Sequence, residues 1–264
     1  MNGKKIGMPN MKPATRVETT DLLSLPAIRA FSTQRDCADP YAPYCGFSTC
    51  HYTGDNSENV AGCRATLARE LGIDSCRLII PRQTHSANVR VIDENFGGND
   101  TLDDTDAIVT ALAGTALVIH TADCVPIVMV DPKAGVIAAA HSGWRGTVQN
   151  IAGLTIEAMV RLGAEPRNIV AAMGPSICMD CFEVGQEVAD RFDPRFVSSA
   201  YGKKPHIALS EIIASQLEQC GLRKENIKAS EECSRCKHEK YFSARRLGVN
   251  SGRTATVIIR YSRA

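Results

Sequence analysis

Residues 115–162 read TALVIHTADCVPIVMVDPKAGVIAAAHSGWRGTVQNIAGLTIEAMVRL, and the hydrophobic rhythm changes partway along. Thr115–Ile119, Ile127–Val130 and Gly135–Ala140 are short apolar runs divided by turn residues, the pattern of buried strands. From Val148 the spacing becomes helical: Val148, Ile151, Ala152, Thr155, Met159 and Leu162 form one stripe, which predicts a helix over 148–162. Working outward, 77–81, 87–93, 107–110, 169–173 and 254–261 also read as strands. The last carries the run Val257-Ile258-Ile259 and reads as a buried closing strand. A helix is predicted over 59–71, with Val60, Cys63, Leu67 and Leu71 on one face and Gly72 ending it. Residues 182–192 and 208–220 read as helical, and 36–54 as loop. Residues 1–24 are polar, carry Pro9 and Pro13 and show no period, so a poorly ordered tail is expected. The remaining 25–264 is expected to be one elaborated α/β domain, a mixed α+β arrangement around a mixed sheet.

Composition narrows the function classes. The 264 residues are 44% apolar and 22% charged, enough to bury a sizeable core. A net charge of +1 gives no electrostatic reason to expect nucleic acid or an anionic membrane as partner. Aromatics are only 5%, which argues against stacking platforms for single strands. No stretch approaches the roughly 20 apolar residues of a membrane span, and the N-terminus lacks the apolar run of a signal peptide. A cytoplasmic protein is expected, its 11 cysteines kept reduced as buried thiols or metal ligands.

Three segments gather unusual residues at strand ends: PRQTHS (81–86), TADCVP (121–126) and AHSGWRGT (140–147). In the third, Gly143 and Gly146 allow positive φ or close backbone approach. Thr147 is a fair N-cap, and free amides beside Arg145 would make an anion site. His85, Cys124 and His141 each also read as core residues taken singly, and spacing cannot decide, because ligands converge only in the fold. Together, two imidazoles and a thiolate are good zinc ligands that leave a fourth position open.

The motifs RQTHSANV, TADCVPIVMVD, GVIAAAHSGWRGT, GPSICMDCFEVGQEV and YFSARRLGVNSGR occur in the order seen in one family. From about Phe31 to the C-terminus the chain resembles the laccase-like, multicopper polyphenol oxidase family, also known as purine nucleoside phosphorylases and peptidoglycan editing factors. The resemblance implies a Cys-His hydrolase-like α/β fold and one zinc per chain on His85, Cys124 and His141. It also implies phosphorolysis of purine nucleosides such as adenosine and inosine, with adenosine deamination as a related activity. The alternative it implies is hydrolytic removal of misincorporated amino acids from a peptidoglycan precursor. Within this frame Asp123 is the candidate general acid or base, with Cys124 and His141 the other catalytic candidates. Arg145 and Arg82 are candidates for holding phosphate, and Arg245 for binding substrate.

Copper is disfavoured, because a multicopper centre needs more histidines than the six present. A metal-free thiol hydrolase, with Cys124 as nucleophile and His141 as base, is the rival chemistry. The pairs Cys178/Cys181 and Cys233/Cys236 lie far apart for a zinc ribbon, so a four-cysteine site is not the favoured reading. Asp103-Asp104-Thr105-Asp106 reads as a turn before a strand, although Asp106 belongs to the family's D-A-x-V-T pattern.

Overall fold

The apolar runs pair into two mixed sheets that face each other across a shared core. A computed structural model describes residues 17–97 and 101–262. In chain order its first half comprises β1 (Thr19–Leu25), β2 (Ile28–Thr33), α1 (Ser57–Leu71), β3 (Leu78–Ile79), β4 (Val89–Ile92), β5 (Ala107–Thr110) and β6 (Ala116–Thr121). There follow β7 (Val125–Asp131), β8 (Val136–Ser142), α2 (Trp144–Val148), α3 (Ile151–Arg161), β9 (Val170–Met173) and α4 (Gln186–Ala189). The chain closes with β10 (Val197–Ser198), β11 (His206–Ile207), α5 (Leu209–Gln219), β12 (Ile227–Ala229), α6 (Ala244–Leu247) and β13 (Thr254–Arg260).

One sheet has the order β1-β2-β13-β6-β3 and the other β12-β9-β7-β8-β5-β4, while β10 and β11 form a small ribbon. The two-residue alternation of the central strands assigns the layers. Val125, Ile127 and Met129 of β7 face α3 and α5, where they meet Ile151, Ile156, Ile213 and Leu217. Val128 and Val130 point the other way, onto Ala30, Leu117, Ile119 and Ile258 of the five-stranded sheet. That sheet's outer face, with Phe31, Val118 and Val257, is covered by Cys63, Leu67, Ala68 and Leu71 of α1. The order is therefore helix, sheet, sheet, helix, and strands buried on both faces explain the nearly continuous apolar runs of β6, β7 and β8.

Three local expectations are corrected. Thr19–Leu25, all but its last residue inside the expected tail, is the edge strand β1, paired antiparallel with β2. Its sequence TTDLLSL alternates weakly because an edge strand is only part-buried; residues 1–16 lie outside the described residues. The helix expected over 148–162 is two helices broken at Gln149 and Asn150. Asn150 adopts a left-handed conformation (φ 56°) and its side chain caps α3 by accepting from the Gly153 amide. In 182–192 only Gln186–Ala189 is helical: Phe182, Val184, Val188 and Phe192 reach the core largely from irregular backbone, so their spacing imitated a helix. By contrast α1 runs as expected, capped by the Asn56 side chain and ended by left-handed Gly72. No helix among the described residues is long and apolar enough to cross a membrane.

Leu67 is fully buried between α1 and the outer sheet face. Leu67→Ala is expected to cost about 2–5 kcal/mol of unfolding free energy, read from the denaturant midpoint. An unshifted midpoint would mean that α1 does not share the core.

Candidate metal centre

Strand register brings the distant motifs to one end of the six-stranded sheet. β8 runs antiparallel to both β7 and β5, with His141 opposite Pro126 and Ala140 opposite Ala107. The end of β8, the residue before β7 and the residue before β5 therefore share an edge, which places His141, Cys124 and Asp106 together. β4 is parallel to β5, so the segment before it, carrying His85, arrives at the same edge.

There the donor atoms of His85, Cys124 and His141 all lie within 4.8 Å of one another. His85 Nε2 is 3.8 Å from Cys124 Sγ, and the two imidazoles meet edge to face with centroids 4.8 Å apart. A cluster of this composition could hold a metal ion. The three burials differ: His141 is buried, Cys124 half-buried and His85 exposed, so the cluster opens to one side.

Asp106, read from sequence as part of a turn, is the residue that organises this centre. Fully buried, it accepts hydrogen bonds from the backbone amides of Thr84 (3.0 Å), His85 (3.1 Å) and Ser86 (2.9 Å). It also accepts from the Ser86 hydroxyl (2.8 Å) and pairs with His141 Nδ1 at 2.6 Å. With Nδ1 committed to the carboxylate, Nε2 is the nitrogen of His141 left for a metal, the usual carboxylate–histidine arrangement behind metal ligands. The three amides wrap the backbone around Asp106 and accompany the positive φ (65°) of His85, a strained value for a residue with a side chain. The only signal in sequence was the D-A-x-V-T pattern, which does not by itself say that the carboxylate points inward.

The charges support one another. Burial opposes ionisation of Asp106, yet His141 and the amide donors hold its carboxyl down at about 2. Burial likewise disfavours the Cys124 thiolate, but the His141 and His85 imidazoles outweigh it and bring the thiol down to about 6. Burial would lower His141; the charges of Cys124 and Asp106 overcome that and raise it to about 9. Both shifts favour the thiolate, the form that would bind a metal, and a cation held between the two would take the place of the imidazole proton.

Gly143 closes the wall of the site. A Cβ there would sit 2.9 Å from Cys124 Sγ and 3.0 Å from His85 Cδ2, so close approach, not positive φ, is what demands glycine. Gly146 is less crowded, its nearest neighbour 3.4 Å away. The helix at this mouth starts after Gly143, not at Thr147, and α2 has only five residues. The Thr147 hydroxyl bonds Ser142 and the Gly143 carbonyl instead of capping a helix. Any anion held here would depend on side chains more than on a helix terminus.

The remaining candidates divide. Arg145 is exposed and lies over the Trp144 ring, 4.3 Å from its centroid, with no ion pair among the described residues. Arg82 is exposed and pairs loosely with Asp103 at 3.9 Å. Asp123 is buried at positive φ (90°); one carboxylate oxygen accepts from the Ser234 hydroxyl (2.7 Å) and the other from the Arg245 amide (2.6 Å). Asp123, the candidate general acid or base, thus fastens two loops beside Cys124. The Arg245 guanidinium donates to the Glu183 carbonyl (3.1 Å). Sequence separation disfavoured a four-cysteine cluster, yet Cys178, Cys181, Cys233 and Cys236 converge, with sulfurs all within 4.8 Å of one another. A cleft of about 760 Å³ beside Arg77, Glu94 and Phe96 contains none of the His85, Cys124, His141 cluster.

Residues 29–261 match the family model described as multi-copper polyphenol oxidoreductase laccase. The chain is 47% identical over 250 residues to adenosine deaminase RL5 of an unknown prokaryotic organism, covering 90% of this chain and 95% of that protein. It is 34% identical over 252 residues to a purine nucleoside phosphorylase of Bacteroides thetaiotaomicron, with 90% and 93% covered. The crystal structure of YlmD from Geobacillus stearothermophilus shares the fold with a TM-score of 0.81, at 28% identity, covering 89% of this chain and 93% of that one.

Two substitutions test this geometry. Asp106→Asn is expected to weaken metal affinity about 10–100-fold in chelator competition, and unchanged affinity would remove Asp106 from behind His141. Gly143→Ala should shed metal at chelator concentrations that leave Gly146→Ala loaded. Equal retention by both would show that Gly143 does not border the ligands.

Proposed function

Because the chain belongs to the multi-copper polyphenol oxidoreductase laccase family, we propose that it is a zinc-dependent enzyme of purine nucleosides, a nucleoside phosphorylase with adenosine deamination as a related activity. The observation that carries this reading is the convergence of His85, Cys124 and His141 with Asp106 behind them. Two imidazoles and one thiolate suit zinc, whereas multicopper chemistry asks for more imidazoles than this cluster offers. The names of two relatives, one an adenosine deaminase and one a purine nucleoside phosphorylase, support the substrate class.

Zinc, when bound, supplies Lewis acidity at this edge of the sheet. The chain's own residues supply the rest. Deamination and phosphorolysis both bring an oxygen nucleophile to a carbon that loses a nitrogen leaving group. Phosphate in the second case needs a cation, and Arg145, exposed two residues beyond Gly143 and with no ion pair among the described residues, provides it. Arg82, exposed three residues before His85, serves as a second positive group. Arg245 borders the substrate through its guanidinium, while its own amide is tied to Asp123. Asp123 acts as a positioning residue, holding the backbone that presents Cys124.

A second reading draws on the series Cys124, His141, Asp106, whose lowered thiol and raised imidazole resemble a thiolate–imidazolium pair of a hydrolase. The two readings part in one experiment. Protein purified without chelator is assayed for metals by mass spectrometry and incubated with adenosine and with inosine, each with and without phosphate. About one zinc at this centre and phosphate-dependent release of base are expected, abolished by chelation. Arg145→Ala should then raise the phosphate KM about tenfold or more, in line with a lost charged hydrogen bond. Zinc without nucleoside turnover would redirect the substrate to an amide such as a peptidoglycan precursor. Activity insensitive to chelator but killed by iodoacetamide would establish the thiol hydrolase instead.

A further inference from the structure

The same end of the six-stranded sheet carries a second cluster of potential metal ligands, here all thiols. β9 is antiparallel to β7 and β12 is parallel to β9, so the segments leaving β9 and β12 both emerge beside Asp123. Each carries a C-x-x-C turn: Cys178–Cys181, where the Cys181 amide donates to the Cys178 carbonyl, and Cys233–Cys236, where the Lys237 amide donates to the Cys233 carbonyl. Backbone bonds zip the two turns together, from the Ser176 amide to the Glu232 carbonyl and from the Ser234 amide to the Ser176 carbonyl. All four thiols are free, and their sulfurs lie within 4.8 Å of one another, with Cys181 and Cys236 at 3.4 Å.

We propose that Cys178, Cys181, Cys233 and Cys236 form a second zinc site, structural in role, that clamps the segment after β9 to the segment after β12. A tetrahedral ion with Zn–S distances of about 2.3 Å sets its sulfurs about 3.8 Å apart, close to the spacing found here. The surroundings are those of thiolate ligands. The Cys178 amide donates to Cys233 Sγ (3.3 Å), and the Arg235 guanidinium donates to Cys181 Sγ (3.3 Å), partly offsetting the excess negative charge of four thiolates on a divalent ion. Ile177 and Phe182 cover one side. Four protein ligands close the coordination sphere, so this ion would hold structure and not substrate, and its binding releases the thiol protons.

The consequence reaches the other centre. The clamped loops fasten the turn before Cys124 at two points: the Ile177 amide donates to the Asp123 carbonyl (2.9 Å), and the Ser234 hydroxyl donates to the Asp123 carboxylate (2.7 Å). Ser234 follows Cys233 directly, and Ile177 directly precedes Cys178. An ion joining the four cysteines therefore secures the strained conformation of Asp123, and with it the position of Cys124.

Zinc counting on the full chain, purified under reducing conditions without chelator, tests the proposal. About two zinc ions per chain are expected, falling to about one in Cys178→Ser/Cys236→Ser and, independently, to about one in His85→Ala/His141→Ala. A zinc content unchanged by the cysteine pair would overturn it. Zinc lost with the cysteines but indifferent to the histidines would support this site while removing the metal from the proposed catalytic centre. Native wild-type protein gives a second readout that requires no variant. The four cysteines should resist iodoacetamide until a chelator is added, then react together. Ready alkylation without chelator, or disulfides among the four in the intact mass, would overturn the site.

Discussion

The carboxylate of Asp106, buried at the edge of a sheet, is the constraint on which the rest of the centre depends. It gathers three successive amides from the segment of His85 and one imidazole nitrogen from the end of β8. An uncompensated carboxylate in this position would be costly; five donors make it the most stable place for a negative charge in the neighbourhood. The arrangement orients His85 by its backbone and His141 by its ring.

Around that anchor the positioning is done by strand register and not by loop design. β5, β7, β8 and β9 are buried on both faces, and a slip of one residue would turn each apolar set toward the wrong layer. The packing of α3 and α5 on one side and of the second sheet on the other therefore fixes the register. Register in turn fixes which residues stand at the strand ends. Cys124 and His141 are neighbours because Val125 pairs with Ser142, and the two C-x-x-C turns meet because β9 and β12 leave the sheet side by side. Burial energy spread over the core thus becomes ångström-level placement at one edge.

Electrostatics then divides labour along this edge. The buried carboxylate, thiolate and imidazole hold one another in charged forms that favour a cation, while the guanidinium of Arg145 remains exposed on Trp144. Asp123 stands between the two cysteine-bearing regions with both oxygens engaged, so it transmits the position of one region to the other.

Legible from spacing and composition were the strands β5 to β9, the closing strand β13, the helices α1 and α5, and the three ligand candidates. Buried elements leave a periodic apolar record, and His, Cys and Gly at strand ends leave a chemical one. The sequence did not reveal the edge strand β1, whose part-buried residues alternate weakly, nor the break at Asn150, because two helices burying one face write a single stripe. Its helix over 182–192 failed for a related reason: apolar residues can reach a core from irregular chain. It took the folded chain to show that Asp106 turns inward, that Asp123 joins two loops, and that four distant cysteines meet. Such facts concern which groups become neighbours, and neighbourhood is set by strand pairing across the sheet, a relation that linear spacing does not carry.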